Sequence, residues 1–142
     1  MRRLVMLLVV FAVVGSAPAW AGGTNACKLI TAADAKKAVG VALEASAPRT
    51  VGLYQSCTYT SAKVTLIVLD RKLSRAGFDM SSKRNPGPVA HVAGVGSDAY
   101  SVQGGKGLLM WKNGLSVSLL VVGGGNVLKA EMALGKAVAA KL

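Results

Sequence analysis

The sequence predicts an α+β domain, a mostly antiparallel sheet of about four to five strands with an N-terminal helix and a C-terminal helix packed on it. Three observations carry that prediction. Period-two alternation runs through the middle of the chain, Asn113-Gly114 joins two apolar segments at hairpin spacing, and capped helical segments flank the set at Thr31–Gly40 and Asn126–Leu142.

Thr31 stands three residues before Asp34, the spacing of a capping box, and the helix it starts (AADAKKAV) ends at Gly40, a residue suited to a left-handed cap. Lys36 and Lys37 fall in its last turns, at the negative end of the helix dipole. Val41 to Thr50 reads as a loop. From Val51 the period becomes two, with Val51, Leu53, Cys57 and Tyr59 on one face of a strand and Tyr54, Ser56, Thr58 and Thr60 on the other. Val64 to Leu69 is apolar on both sides and belongs near the middle of the sheet.

Asp70 to Pro88 is the most polar segment; a short helix is expected around Lys72 to Met80, and Asn85-Pro86-Gly87-Pro88 ends it. Val89 to Val95 and Asp98 to Val102 read as extended. Gly104-Gly105 turns into a strand at Leu108 to Trp111, and the Asn113-Gly114 turn leads into Leu115 to Val122. After the loop Gly123-Gly124-Gly125, Asn126 caps the final helix. That helix puts Val127, Leu134, Val138 and Leu142 on one face and Lys129 and Lys136 on the other, and Gly135 allows close approach to a sheet. Glu131 falls within the apolar arc, as a buried carboxylate or as a first-turn residue with a lysine partner.

The first residues read differently. Met1-Arg2-Arg3 is a short basic start, and the apolar run from Leu4 to Gly15 is about 12 residues long, against roughly 20 for a membrane-spanning helix. Pro18 breaks the run and Ala19-Trp20-Ala21 supplies small residues at the positions a signal peptidase reads. Residues 1–21 are therefore expected to be a cleaved signal peptide and 22–142 a single exported domain, periplasmic or extracellular, with no transmembrane anchor after cleavage near Ala21. Cys27 lies twelve positions beyond Gly15 and follows Thr24-Asn25-Ala26, which argues against lipidation.

Export decides the cysteines. Cys27 and Cys57 both fall in the exported part, where two thiols pair in an oxidising compartment. The alternatives, a redox pair or half a metal site, lack the C-x-x-C spacing. Loss of Arg2 and Arg3 takes the formal net charge from +11 to +9, a surface that attracts anions such as lipid headgroups or acidic polymers.

The sequence excludes most site chemistries. His91 is the single histidine, so a zinc site has too few ligands, and no G-x-S-x-G context accompanies it. Gly94-Val95-Gly96-Ser97-Asp98-Ala99 matches a dinucleotide fingerprint in letters, but a strand rather than a helix follows. No cofactor or metal is expected, and no catalytic residue stands out. Gly123 to Gly125 reads as a connector more than as an anion nest. Arg71, Lys72, Arg75, Lys83 and Arg84 are five cations against Asp70 and Asp79, a candidate anion-docking segment. Phe78 is its lone aromatic, which argues against nucleic acid.

The segments C-K-L-I-T-A-A-D-A at 27–35 with Gly40, C-T-Y-T at 57–60, V-A-G-V-G-S-D-A-Y at 92–100 and a final helix ending in Lys-Leu resemble a widespread group of small exported bacterial envelope domains of unknown function, many of them lipoproteins. The resemblance implies an envelope location, a paired Cys27 and Cys57, and no assigned chemistry; this chain departs from the lipoprotein members in lacking a lipobox. Two functions are therefore expected in order. The first is a non-catalytic binding module whose partner is a protein or small ligand, held on the sheet or between sheet and helix. The second is a polyanion-docking protein that takes an anionic envelope polymer on residues 71–84. An enzyme ranks third, because six carboxylates and one histidine leave little acid–base capacity.

Overall fold

The structure is a computed structural model and describes residues 25–142; the expected signal peptide lies outside the described residues. In chain order the elements are α1 (Ala26–Leu29), α2 (Ala32–Val39), β1 (Glu44–Ala45), β2 (Arg49–Val51), β3 (Tyr54–Thr60), β4 (Thr65–Lys72), α3 (Arg75–Lys83), β5 (Ala90–His91), β6 (Asp98–Val102), β7 (Gly107–Lys112), β8 (Leu115–Val122) and α4 (Val127–Lys141). The strands form one antiparallel sheet in the order β1-β3-β4-β8-β7-β6-β5, with β2 also paired to β3. The class is α+β as expected, but the sheet has 8 strands rather than four to five. The extra ones are β1, β2 and β5, each two or three residues long and exposed throughout, so they carry no burial alternation to read.

Other expectations shift for local reasons. Val51 and Tyr54 pair across a turn at Gly52-Leu53, so the period-two stretch is two strands and not one. Val51 and Leu53 sit in solvent instead of on the core face. Lys72 ends β4, and the helix begins at Arg75, where the Ser74 hydroxyl accepts from the Gly77 N–H. Of Val89 to Val95, Ala90–His91 alone is strand. The Thr31–Asp34 capping box and the Gly40 cap form as predicted. Asn113 and Gly114 both take positive φ, as the hairpin turn between β7 and β8 requires.

Register assigns each side chain to a face. Cys57 and Tyr59 of β3, Leu66, Val68 and Asp70 of β4, Val117, Leu119 and Val121 of β8, and Leu108 and Met110 of β7 share the inner face. α1, α2 and α4 cover it and complete the main core with Leu29, Ile30, Ala35, Leu134 and Val138. α4 lies close because Gly135 has no Cβ: one built there stands 2.7 Å from both Leu108 Cδ2 and Val95 Cγ1. The Cys27–Cys57 disulfide ties α1 to β3, with Cα atoms 5.0 Å apart. Beside it the Tyr59 hydroxyl donates to the Ile30 carbonyl, and Lys141 Nζ donates to the Leu29 carbonyl and to Asp34. The Lys141 bond, with backbone and hydroxyl bonds from Thr31, holds the Asp34 carboxyl down at about 2.

The outer face is covered in part, by α3 alone, where the expected packing had only the N- and C-terminal helices on the sheet and gave the short helix near Lys72 to Met80 no place on it. Phe78 is fully buried there against Val102 and Leu109, with Leu73, Tyr100 and Trp111 around it. The indole N–H of Trp111 donates to the Leu73 carbonyl at 2.8 Å. Both edges of the sheet are short. β5 follows Pro86 and Pro88, and Pro48 separates β1 from β2 along β3. No helix among the described residues is long and apolar enough to cross a membrane.

Candidate functional site

The half of the outer face that α3 leaves open is built by strict alternation. β4 turns Ile67, Leu69 and Arg71 outward, β8 turns Ser116, Ser118 and Leu120 outward, and β3 adds Tyr54, Ser56 and Thr58. Ile67, Leu69 and Leu120 are half-buried, whereas their inner-face neighbours Leu66, Val68 and Leu119 are fully buried. Between this strip and the end of α3 runs a groove of about 230 Å³, lined by Ile67, Leu69, Leu120, Ser118, Val102 and Asn85 among others. Asn85 walls it because its side-chain amide donates to the Ser81 carbonyl at 3.0 Å.

Arg71 stands at the end of the strip, two residues beyond Leu69 on the same face. Its guanidinium lies 4.7 Å from the Tyr54 ring centre and donates from Nη2 to the Ser81 hydroxyl at 3.1 Å. Its Nε–H is buried and has no protein acceptor among the described residues. A half-satisfied guanidinium beside an apolar strip is suited to a carboxylate or phosphate oxygen.

The five cations singled out in the sequence do not form one patch. Arg71 faces outward and Lys72, the next residue, falls on the opposite side of β4. Arg75 is committed to Asp79 and Asp98 and lies over the Trp111 ring. Lys83 and Arg84 are exposed at the far end of α3, and Lys83 lines a separate depression with Asn85, Val89 and Tyr100.

Arg75 belongs to a cluster the sequence reading missed. Asp98, 6% exposed, binds Arg75 through one carboxylate oxygen and His91 Nε2 at 3.0 Å through the other, and accepts from the Tyr100 hydroxyl. The His91 ring meets the Tyr100 ring edge-on. Burial and the Asp98 carboxylate push the Tyr100 phenol up. The cluster ties α3 and β5 to β6. The signal was present in the S-D-A-Y segment, where an aspartate heads a strand otherwise buried.

On the inner face Glu131 is fully buried. Oε1 accepts from the Val121 N–H at 2.9 Å, beyond the first residue of β7, where β8 is paired to β4 alone. Burial pushes the carboxyl up to about 7, with the Val121 bond acting weakly the other way. Beside it Gly123 to Asn126 and the start of α4 border a cavity of about 390 Å³ with Lys37 and Lys129 at its rim. No group of three or more His, Cys, Asp or Glu able to hold a metal exists among the described residues.

No protein-family model, curated protein or solved structure matches this chain.

Proposed function

We propose that this protein is an exported, non-catalytic binding module of the bacterial envelope that holds a single-chain anionic amphiphile on the open half of the outer face. One observation carries the reading: a half-buried apolar strip and groove on the outer face, ending at the outward-facing Arg71 guanidinium, whose Nε–H has no protein acceptor among the described residues. From Ile67 to Arg71 the strip spans about 13 Å, the reach of a medium-chain acyl group with its head at the arginine. Between sheet and inner helices the space is filled along α4 by Leu134, Gly135 and Val138, and the cavity of about 390 Å³ lies at the start of α4 with Lys37, Lys129 and the glycine loop in its lining. Export is supported by the basic start, short apolar run and Ala19-Trp20-Ala21 of the N-terminus, together with the disulfide. The envelope group that the sequence resembles has the same address.

Native mass spectrometry of the exported, oxidised protein with decanoate tests the proposal. One decanoate per chain is expected, lost with Leu120→Glu and weakened about tenfold with Arg71→Ala, the size of a lost charge-assisted hydrogen bond. An adduct indifferent to both changes, or none at all, overturns the reading. Polyphosphate binding abolished by high salt and by reversing Arg71, Lys72, Lys83 and Arg84 supports the polyanion alternative instead.

A further inference from the structure

The turn between β2 and β3 carries a second surface. Leu53 is 75% exposed and Val51 58%, the two most exposed large apolar side chains among the described residues. They flank Gly52 at the tip of one hairpin, closed by the Val51–Tyr54 pair. Cations stand just behind the tip: Arg49 two residues back on β2, Arg71 over the Tyr54 ring, and Lys72 at the end of β4. No acidic residue occurs between Glu44 and Asp70. Glu44 pairs with Thr60 at the far end of β3, and Asp70 is buried on the inner face.

We propose that this hairpin tip docks the protein on an anionic lipid bilayer, with Leu53 and Val51 entering the headgroup–acyl boundary and Arg49, Arg71 and Lys72 facing lipid phosphates. Two apolar side chains on a protruding turn are far short of the roughly 800 Å² per partner that a stable protein interface needs. A lipid surface makes no such demand, because it receives a tip of any shape. Each basic residue held near an anionic bilayer adds about fivefold to partition, and each buried methylene adds about fourfold. The inference does not rest on the groove; a protein that takes no decanoate can still dock.

The test is flotation with phosphatidylglycerol vesicles against phosphatidylcholine vesicles at physiological salt, using the exported, oxidised protein. The expected result is binding to the anionic vesicles only, reduced about tenfold or more by Leu53→Asp. Because a basic protein adsorbs to anionic vesicles by charge alone, the deciding readout is depth. In Leu53→Trp the added emission should shift blue and be quenched by brominated acyl chains. Val122→Trp, exposed at the opposite end of the strands, should show neither change. Vesicle binding that survives Leu53→Asp, an unquenched tryptophan at 53, or no binding to anionic vesicles overturns the proposal.

Discussion

The two faces of the sheet are built from the same strands and differ in almost everything else. The inner face packs three helices onto an apolar layer, is stapled by Cys27–Cys57, and buries even a carboxylate, Glu131, with no charged partner among the described residues. The outer face rests on one nine-residue helix. There Phe78 is the single fully buried large side chain among the described residues, and the Arg75–Asp98–His91 cluster links α3 and β5 to β6. Packing is concentrated on one side, and the other keeps a half-buried apolar strip.

The sharpest way to break that division is Phe78→Ala. A phenylalanine truncated in a packed site loses about 3–5 kcal/mol. The loss should fall on α3: its amides should exchange far faster with solvent while those of α4 stay protected. If α4 accelerates equally, the two faces form one cooperative unit.

Removing the disulfide tests the other side. The bridge closes a loop across a sequence separation of 30, and replacing both cysteines with serine should cost about 3–4 kcal/mol in urea unfolding. A change below about 1 kcal/mol would assign the anchoring of α1 to the Tyr59 and Lys141 hydrogen bonds instead.

Glu131 gives the smallest effect and the finest distinction. Its folded-state value of about 7 lies above the ordinary 4.5, so the native state holds the proton more tightly than the unfolded chain. Its favourable contribution is complete below pH 4.5 and is lost as pH rises through 7, about 3 kcal/mol in all. Asp34, held at about 2, acts oppositely, its contribution failing only as pH falls from 3.8 toward 2. Glu131→Gln keeps the acceptor for Val121 and should be nearly flat between pH 5 and 8 where the parent loses stability. Equal slopes in chemical denaturation would assign the dependence to another group.

What the sequence made legible was local. The Thr31 capping box, the Asn113-Gly114 turn, β8 and α4 each declare themselves within a dozen residues. The turn at Gly52-Leu53 was hidden because alternation continues across it in letters while the chain reverses in space. α3 was foreseen, but not that it would cover part of a second face, since that follows from contacts between residues 73–82 and 100–111. The Asp98 cluster spans 23 residues of chain and includes Arg75, which in isolation reads as one more surface cation. The groove is harder still to read, because it arises from the absence of a covering element. Half-apolar strands are normal whether or not something lies on them.

The margins of the sheet have a consequence for life in a crowded compartment. A long bare strand invites a neighbour to add its own, and the pairing can then continue from molecule to molecule into fibres. Here the outermost strands are two or three residues long and hemmed by Pro48, Pro86 and Pro88, so a passing copy finds too few free backbone groups in a row to zip against. The sheet thus presents side chains on its outer face while offering little free backbone at its edges.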